Sequence, residues 1–136
     1  MAFVSKKHTS NARINEVTIG TGDKAVTIGG GSTLPFYTFD AETANAPKIG
    51  MEGTDLGMAA YPQSGLQEFY AGCATVADMA ERAQTMAHVS FIALHLEGAD
   101  PNGANRSVDE CVALCKEVAE RIALPLVVLG CKNVEK

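Results

Sequence analysis

The sequence has no excess of positive charge: 11 Lys and Arg stand against 16 Asp and Glu, a net charge of −5. A phosphate backbone is gripped by a basic patch, so this balance argues against nucleic acid as a partner. No apolar run approaches the roughly 20 residues that cross a bilayer. The opening Met1-Ala-Phe-Val-Ser-Lys-Lys7 also lacks the apolar core of a signal peptide. Cysteine occurs four times, but without short paired spacings. In a chain with no export signal, that pattern reads as reduced thiols of a cytoplasmic protein. The want of a four-cysteine run argues against an iron–sulfur cluster held here. Charged residues are scarce at 20%, against 46% hydrophobic, which excludes a disordered chain. At 136 residues there is material for one ordinary domain with a core.

What is present is a rhythm of short apolar runs and amphipathic stretches. Its clearest part is Phe91 to Glu110. Phe91 to Leu96 is apolar and too short for a helix, so it predicts a buried strand. Glu97 to Arg106 then holds Gly98, Asp100-Pro101, Asn102-Gly103 and Asn105, a dense run of turn chemistry. Ser107-Val-Asp-Glu110 matches a capping box, in which the Ser oxygen accepts from the N–H three residues on and the Glu reaches back. A polar loop between a buried strand and a capped helix is where parallel α/β folds keep their ligands.

Along the rest of the chain, residues 1–15 predict a short polar arm whose Lys6, Lys7, His8 and Arg13 form a solvated face. Glu16–Gly20 and Lys24–Gly29 are β-branched runs around a turn, which predicts a hairpin. Gly29-Gly-Gly31 lacks the helix a phosphate loop needs, since Pro35 sits where one should continue, so a tight backbone passage is the better reading. Lys48–Gly53 predicts a further strand that empties into a loop carrying Tyr61-Pro62 and Gln63-Ser-Gly65. Thr75–Asp78 opens a helix through His88, with Val76, Met79, Ala80, Ala83, Met86 and Ala87 as its apolar face. A second helix spans about 108–123, with Val108, Val112, Cys115, Val118 and Ile122 as its stripe, and Leu126–Gly130 is the next strand. Strand, helix, strand, helix, strand implies parallel strands with crossover helices, as in a (β/α) barrel or a doubly wound sheet. Three or four such strands with open edges make a poor finished domain, so a portion of something longer is expected.

Candidate chemistry gathers after the strands. Glu52, Asp55, Glu97, Asp100, Asn102 and Asn105 follow two successive strands, and in a parallel fold those loops share one face. Cys131, after Gly130, would join them. The competing reading is that Asp100 and Asn105 only fix turns. His95 lies two residues before Glu97 and faces the same side, as a core histidine or a group at the mouth. Cys111 and Cys115 share a helix face, but without two further ligands they read as ordinary buried thiols. Neither a nucleophile nor a metal site is marked.

Several of these stretches together resemble a known family. They are Thr27-Ile-Gly-Gly30 with Leu34-Pro-Phe36, and Pro47-Lys-Ile-Gly-Met-Glu52 with Asp55. They continue in Leu96-Glu-Gly-Ala-Asp-Pro-Asn-Gly-Ala-Asn105 with Ser107-Val-Asp109, and in Pro125-Leu-Val-Val128 with Gly130-Cys131 and Val134-Glu-Lys136. The chain is similar to the N-terminal part of the small, delta-type subunit of the corrinoid iron–sulfur protein, in the carbon monoxide dehydrogenase/acetyl-CoA synthase system. The resemblance implies a TIM-type (β/α)₈ barrel, of which residues 16–136 would be the N-terminal portion: a hairpin and about three to four βα units. It implies a large partner subunit that carries the iron–sulfur cluster and a corrinoid. The top of the barrel would help enclose that corrinoid while a methyl group passes from methyltetrahydrofolate to acetyl-CoA synthase, with a methyltransferase and the synthase as transient partners. Glu52, Asp55, Glu97, Asp100, Asn102, Asn105 and Cys131 would then meet the corrinoid or the partner, with no bond-making role. The rival expectation is a free-standing barrel methyltransferase binding a pterin through Asp100 and Asn102.

Overall fold

β-branched residues crowd both N-terminal runs, and they pair as β1 (Val17–Ile19) and β2 (Val26–Ile28) in a two-stranded sheet around a single 3-10 turn. The computed structural model describes residues 2–4, 11–32 and 44–133. Leu34-Pro-Phe36, residues 1 and 5–10 of the N-terminal arm with Lys6, Lys7 and His8, and Val134–Lys136 therefore lie outside the described residues. Two compact units are present, one of residues 1–18 with 27–47, the other of 19–26 with 48–136. In the first, the glycine run is a backbone passage: Ile14 N–H donates to Gly31 O at 2.8 Å and Gly30 N–H to Ile14 O at 3.1 Å. The Asn45 amide holds it, donating to Gly29 O and to Glu16.

The second unit is a mixed α/β layer built on a parallel sheet. Its strands are β3 (Ile49–Thr54), β4 (Val89–His95) and β5 (Leu126–Leu129), in spatial order β3-β4-β5. Glu52 lies opposite Ala93, Thr54 opposite His95, and Ile92 opposite Leu126. The period of two then divides the side chains. Met51, Ile92, Leu94 and Leu126 point to one face. Glu52, Thr54, Ala93 and His95 point to the other. The first face is covered by α2 (Val76–Ala83) and α3 (Val108–Arg121). Ala77, Ala80 and Ala83 are buried on α2 with Met79 as its one large buried side chain, so the helix backbone lies close to its neighbours and Met79 fills the core. Val118 and Ile122 complete the core from α3. Burying side chains of that size stabilises by about 1.5–3 kcal/mol each.

Both predicted capping boxes form. Thr75 Oγ1 accepts from Asp78 N–H while Asp78 accepts from Thr75 N–H, and Ser107 and Glu110 do the same for α3. Three expectations are corrected. The helix opened by Thr75 stops at Ala83 rather than at His88, because Thr85 Oγ1 donates to Arg82 O at 2.7 Å and His88 takes a positive φ of 69°. Met86 is accordingly 45% exposed. The loop after β3 contains a helix, α1 (Ser64–Phe69), which buries the adjoining Tyr70. On α3, Val108 and Val112 are exposed while Cys111 is buried, because α2 and the sheet, not the sequence stripe, set its inner side.

Two outcomes follow for stability. Ser107→Ala should cost about 1 kcal/mol in urea unfolding, with α3 fraying first. The Asp78 carboxyl is held below its ordinary 3.8, chiefly by the Thr75 backbone N–H, then by the Thr75 hydroxyl. A depressed carboxyl stabilises above its unfolded value and loses that effect as pH falls through its folded one. Asp78→Asn should thus be less stable than the parent at neutral pH, and thermal melts should show the gap closing under acid.

Candidate functional site

The C-terminal ends of β3 and β4 are tied together by carboxylates. Thr54, opposite His95, follows Glu52 by two and so faces the same side. His95 Nδ1 lies 3.4 Å from Glu52 Oε1 and 3.9 Å from Glu97 Oε1. The Thr54 hydroxyl donates to Glu97 Oε2 at 2.6 Å, which fixes that carboxylate over the strand ends. Below this layer the Asp55 N–H donates to His95 O at 3.0 Å, continuing the ladder by one residue.

The Asp55 carboxylate is 1% exposed. It accepts from Gly98 N–H at 2.8 Å and faces Arg106 Nη1 at 3.4 Å. A Cβ at residue 98 would stand 2.6 Å from Asp55 Oδ2, so the backbone comes that close only as glycine. The loop after β4 is then closed from within. Arg106 N–H donates to Gly98 O at 2.8 Å, and the N–H groups of Gly103 and Asn105 both reach Asp100 O. Asp100 Oδ1 accepts from Asn102 N–H at 2.9 Å, an Asx turn, and Asn105 takes a φ of 49° that asparagine tolerates.

Above the strand ends opens a cleft of about 240 Å³, lined by His95, Glu97, Asp100, Cys131 and Lys132. Three of the sequence candidates, Glu97, Asp100 and Cys131, thus meet in one place, with Glu52 alongside through His95. Asn102 and Asn105 are exposed on the loop and shape it. Asp55 lies beneath the mouth, its oxygens turned to Gly98 and Arg106, and it holds the loop. Thr54, Arg106 and Lys132 were not foreseen. The period of two from Glu52 could have found Thr54, and Arg106 is the single cation of its loop. Nothing local marked Lys132. Cys111 and Cys115 line a groove beside α3 that Cys131 also borders. Burial pushes the Cys115 thiol up, with Cys111 adding to the effect. Among the described residues no group of three or more His, Cys, Asp or Glu is arranged to hold a metal ion. No helix among them is long and apolar enough to cross a membrane.

The site is a set of hydrogen-bond acceptors with one ammonium and one imidazole, set at the ends of parallel strands. Residues 16–135 match the family described as the CO dehydrogenase/acetyl-CoA synthase delta subunit. The chain belongs to that family. Among its curated members, the acetyl-CoA decarbonylase/synthase complex subunit delta of Archaeoglobus fulgidus is 26% identical over 141 residues. That match covers 98% of this chain and 31% of the relative. The subunit delta of Methanothermobacter thermautotrophicus is 27% identical over 124 residues, covering 90% of this chain and 31% of the relative. This chain therefore corresponds to about a third of these delta subunits.

The buried carboxylate sets a clear expectation. Asp55→Ala leaves the Gly98 N–H and the Arg106 guanidinium without their acceptor, and should cost about 3 kcal/mol in urea unfolding. Asp55→Asn keeps an oxygen for Gly98 and should cost about 1 kcal/mol. Equal losses from the two variants would mean that Arg106 and Gly98 do not depend on this group.

Proposed function

We propose that this stretch is the portion of a delta subunit that covers one side of a corrinoid held with a large corrinoid iron–sulfur subunit, in the cytoplasm. Methyl transfer from a methyltetrahydrofolate-type donor toward acetyl-CoA synthesis is the process served, with the methyltransferase and acetyl-CoA synthase as transient partners. The observation that carries the reading is the convergence of Glu52, His95, Glu97, Asp100 and Lys132 at the ends of parallel strands, in a chain of this family. The fold proposed for the full subunit is a (β/α)₈ barrel. Sequential strand order with both helices on one face supports it, since a doubly wound sheet reverses its order and covers both faces.

The donor set fits a corrin. A corrin ring is fringed with primary amides, which offer N–H groups outward and accept hydrogen bonds in return. Glu52, with a side chain 62% exposed, and Glu97, at 42%, present acceptors at the mouth. Asp100 adds a third, and Lys132 supplies a donor for an amide oxygen. The same three carboxylates repel a free phosphate. When bound, the corrinoid supplies the metal centre that carries the methyl group. The chain's own residues bind and orient: Thr54 holds Glu97 in place, Asp55 and Arg106 hold the loop, and the ordered mouth keeps bulk water from that side. No residue here is assigned a bond-making role.

The test is anaerobic purification of the subunit from its natural source, followed by visible spectroscopy. A larger partner with corrin and iron–sulfur absorption is expected. Glu52→Gln with Glu97→Gln should lower the corrinoid retained by about tenfold, the effect of weakening charged hydrogen bonds. A colourless, unpartnered protein that binds methyltetrahydrofolate would sink the reading and favour a pterin-dependent methyltransferase.

A further inference from the structure

The N–H of Thr54 is held by a side chain, at a place where a neighbouring strand would ordinarily hold it. Among the described residues β3 is an edge of the parallel sheet. Asp55 N–H turns inward to His95 O, so by alternation the N–H of Thr54 turns to the open edge. There it donates to the Tyr61 hydroxyl at 3.2 Å. Tyr61 follows a 3-10 turn at Gly57–Ala60 and is itself braced from two sides. Its ring stacks on that of Tyr70, with centroids 5.9 Å apart and planes 26° apart, and Tyr70 is 3% exposed. Its carbonyl accepts from Gln67 Nε2 of α1 at 3.2 Å. The phenol is thus fixed to the hydrophobic core on one side and to the end of β3 on the other.

What Tyr61 holds is the head of a relay. Leu56 N–H donates to Thr54 Oγ1 at 3.3 Å, which takes up a lone pair of that oxygen and leaves its proton for Glu97 Oε2 at 2.6 Å. A hydroxyl that accepts one hydrogen bond donates the next more strongly. Residue 54 carries both the N–H and the hydroxyl, so fixing the first limits where the second can stand. Glu97 is the end of the relay, and its side chain is 42% exposed in the cleft. A long side chain already held in one rotamer has less freedom to lose when a ligand arrives.

We infer that Tyr61 is a positioning residue of the mouth: through Thr54 it holds the Glu97 carboxylate toward the ligand, and the loop that carries α1 is its brace. The ligand is that of the proposed function, on which this part of the inference rests. The relay itself is a property of the chain without it.

The test uses the full delta subunit in its complex, and residue-resolved amide exchange reads the relay without reference to the corrinoid. In the parent the Thr54 N–H should exchange at least about tenfold more slowly than in the unfolded chain. Free exchange there would overturn the inference, whether or not any variant folds. Tyr61→Phe keeps the ring on Tyr70 and removes the hydroxyl. The Thr54 and Leu56 amides should then both exchange about tenfold faster, while that of Gly98, held by Asp55, stays as it was. Acceleration at Thr54 alone would count against the relay, because the effect would stop at the backbone. Corrinoid retention is read on the same samples. Tyr61→Phe and Glu97→Gln should each lower it about threefold, and the two together no more than Glu97→Gln alone, as for residues that act through one another. Losses that simply multiply would overturn the positioning role, since an unrelated structural change adds to any other. A parent complex that holds no corrin would end the proposed function, and exchange at Leu56 would still decide the relay.

Discussion

The carboxylate of Asp55 is the point on which the mouth of this fold depends. It follows the last residue of β3 in sequence and is the floor of the β4 loop by contact, so two segments 43 residues apart share one hydrogen bond. An ionised group so deeply placed is tolerable only when its lone pairs are taken up, here by a backbone N–H and a guanidinium. Because Gly98 has no side chain, the loop backbone can come down to meet it. Everything higher in the site inherits its position from that contact, including Glu97, which Thr54 then aims, and Asp100, around which the loop folds.

Much of this was visible in the sequence because it is local. The runs at Val26–Ile28 and Leu126–Leu129 announce strands by composition, and Ser107 with Glu110 announces a helix by a spacing whose hydrogen bonds close within four residues. The parallel arrangement followed from alternation of the two types of segment. What was illegible depends on partners far away in the chain. Asp after a strand looks the same whether it turns outward to a ligand or inward to a glycine, and Asp55 turns inward. The outer line of α3 reads as one stripe from Val108 to Ile122, yet only its C-terminal part reaches the α2 interface. The helix at Ser64–Phe69 is too short for periodicity to show, and Gly65 near its start weakens the signal further.

The family assignment and the geometry constrain one another. His95 is flanked by two carboxylates, with the Thr54 hydroxyl across from it on β3 and Cys131 bordering the same cleft. Glu52 approaches the His95 Nδ1 from β3 and Glu97 from the turn after β4, so the imidazole spaces the two acid groups and keeps them facing outward.

The strand order β3-β4-β5 is also the order of synthesis. Each strand pairs with the one made just before it, and the helix between them is already available to cover the seam. Sheet growth can therefore run in a single direction as the chain emerges, with no strand waiting for a partner from a distant part of the sequence. The loop that must be closed at each addition is one crossover long, which keeps its entropic cost nearly constant from step to step. A parallel sheet, ordinarily slow to form, is here laid down like courses of brick, and the edge at which it grows belongs at any moment to the newest strand.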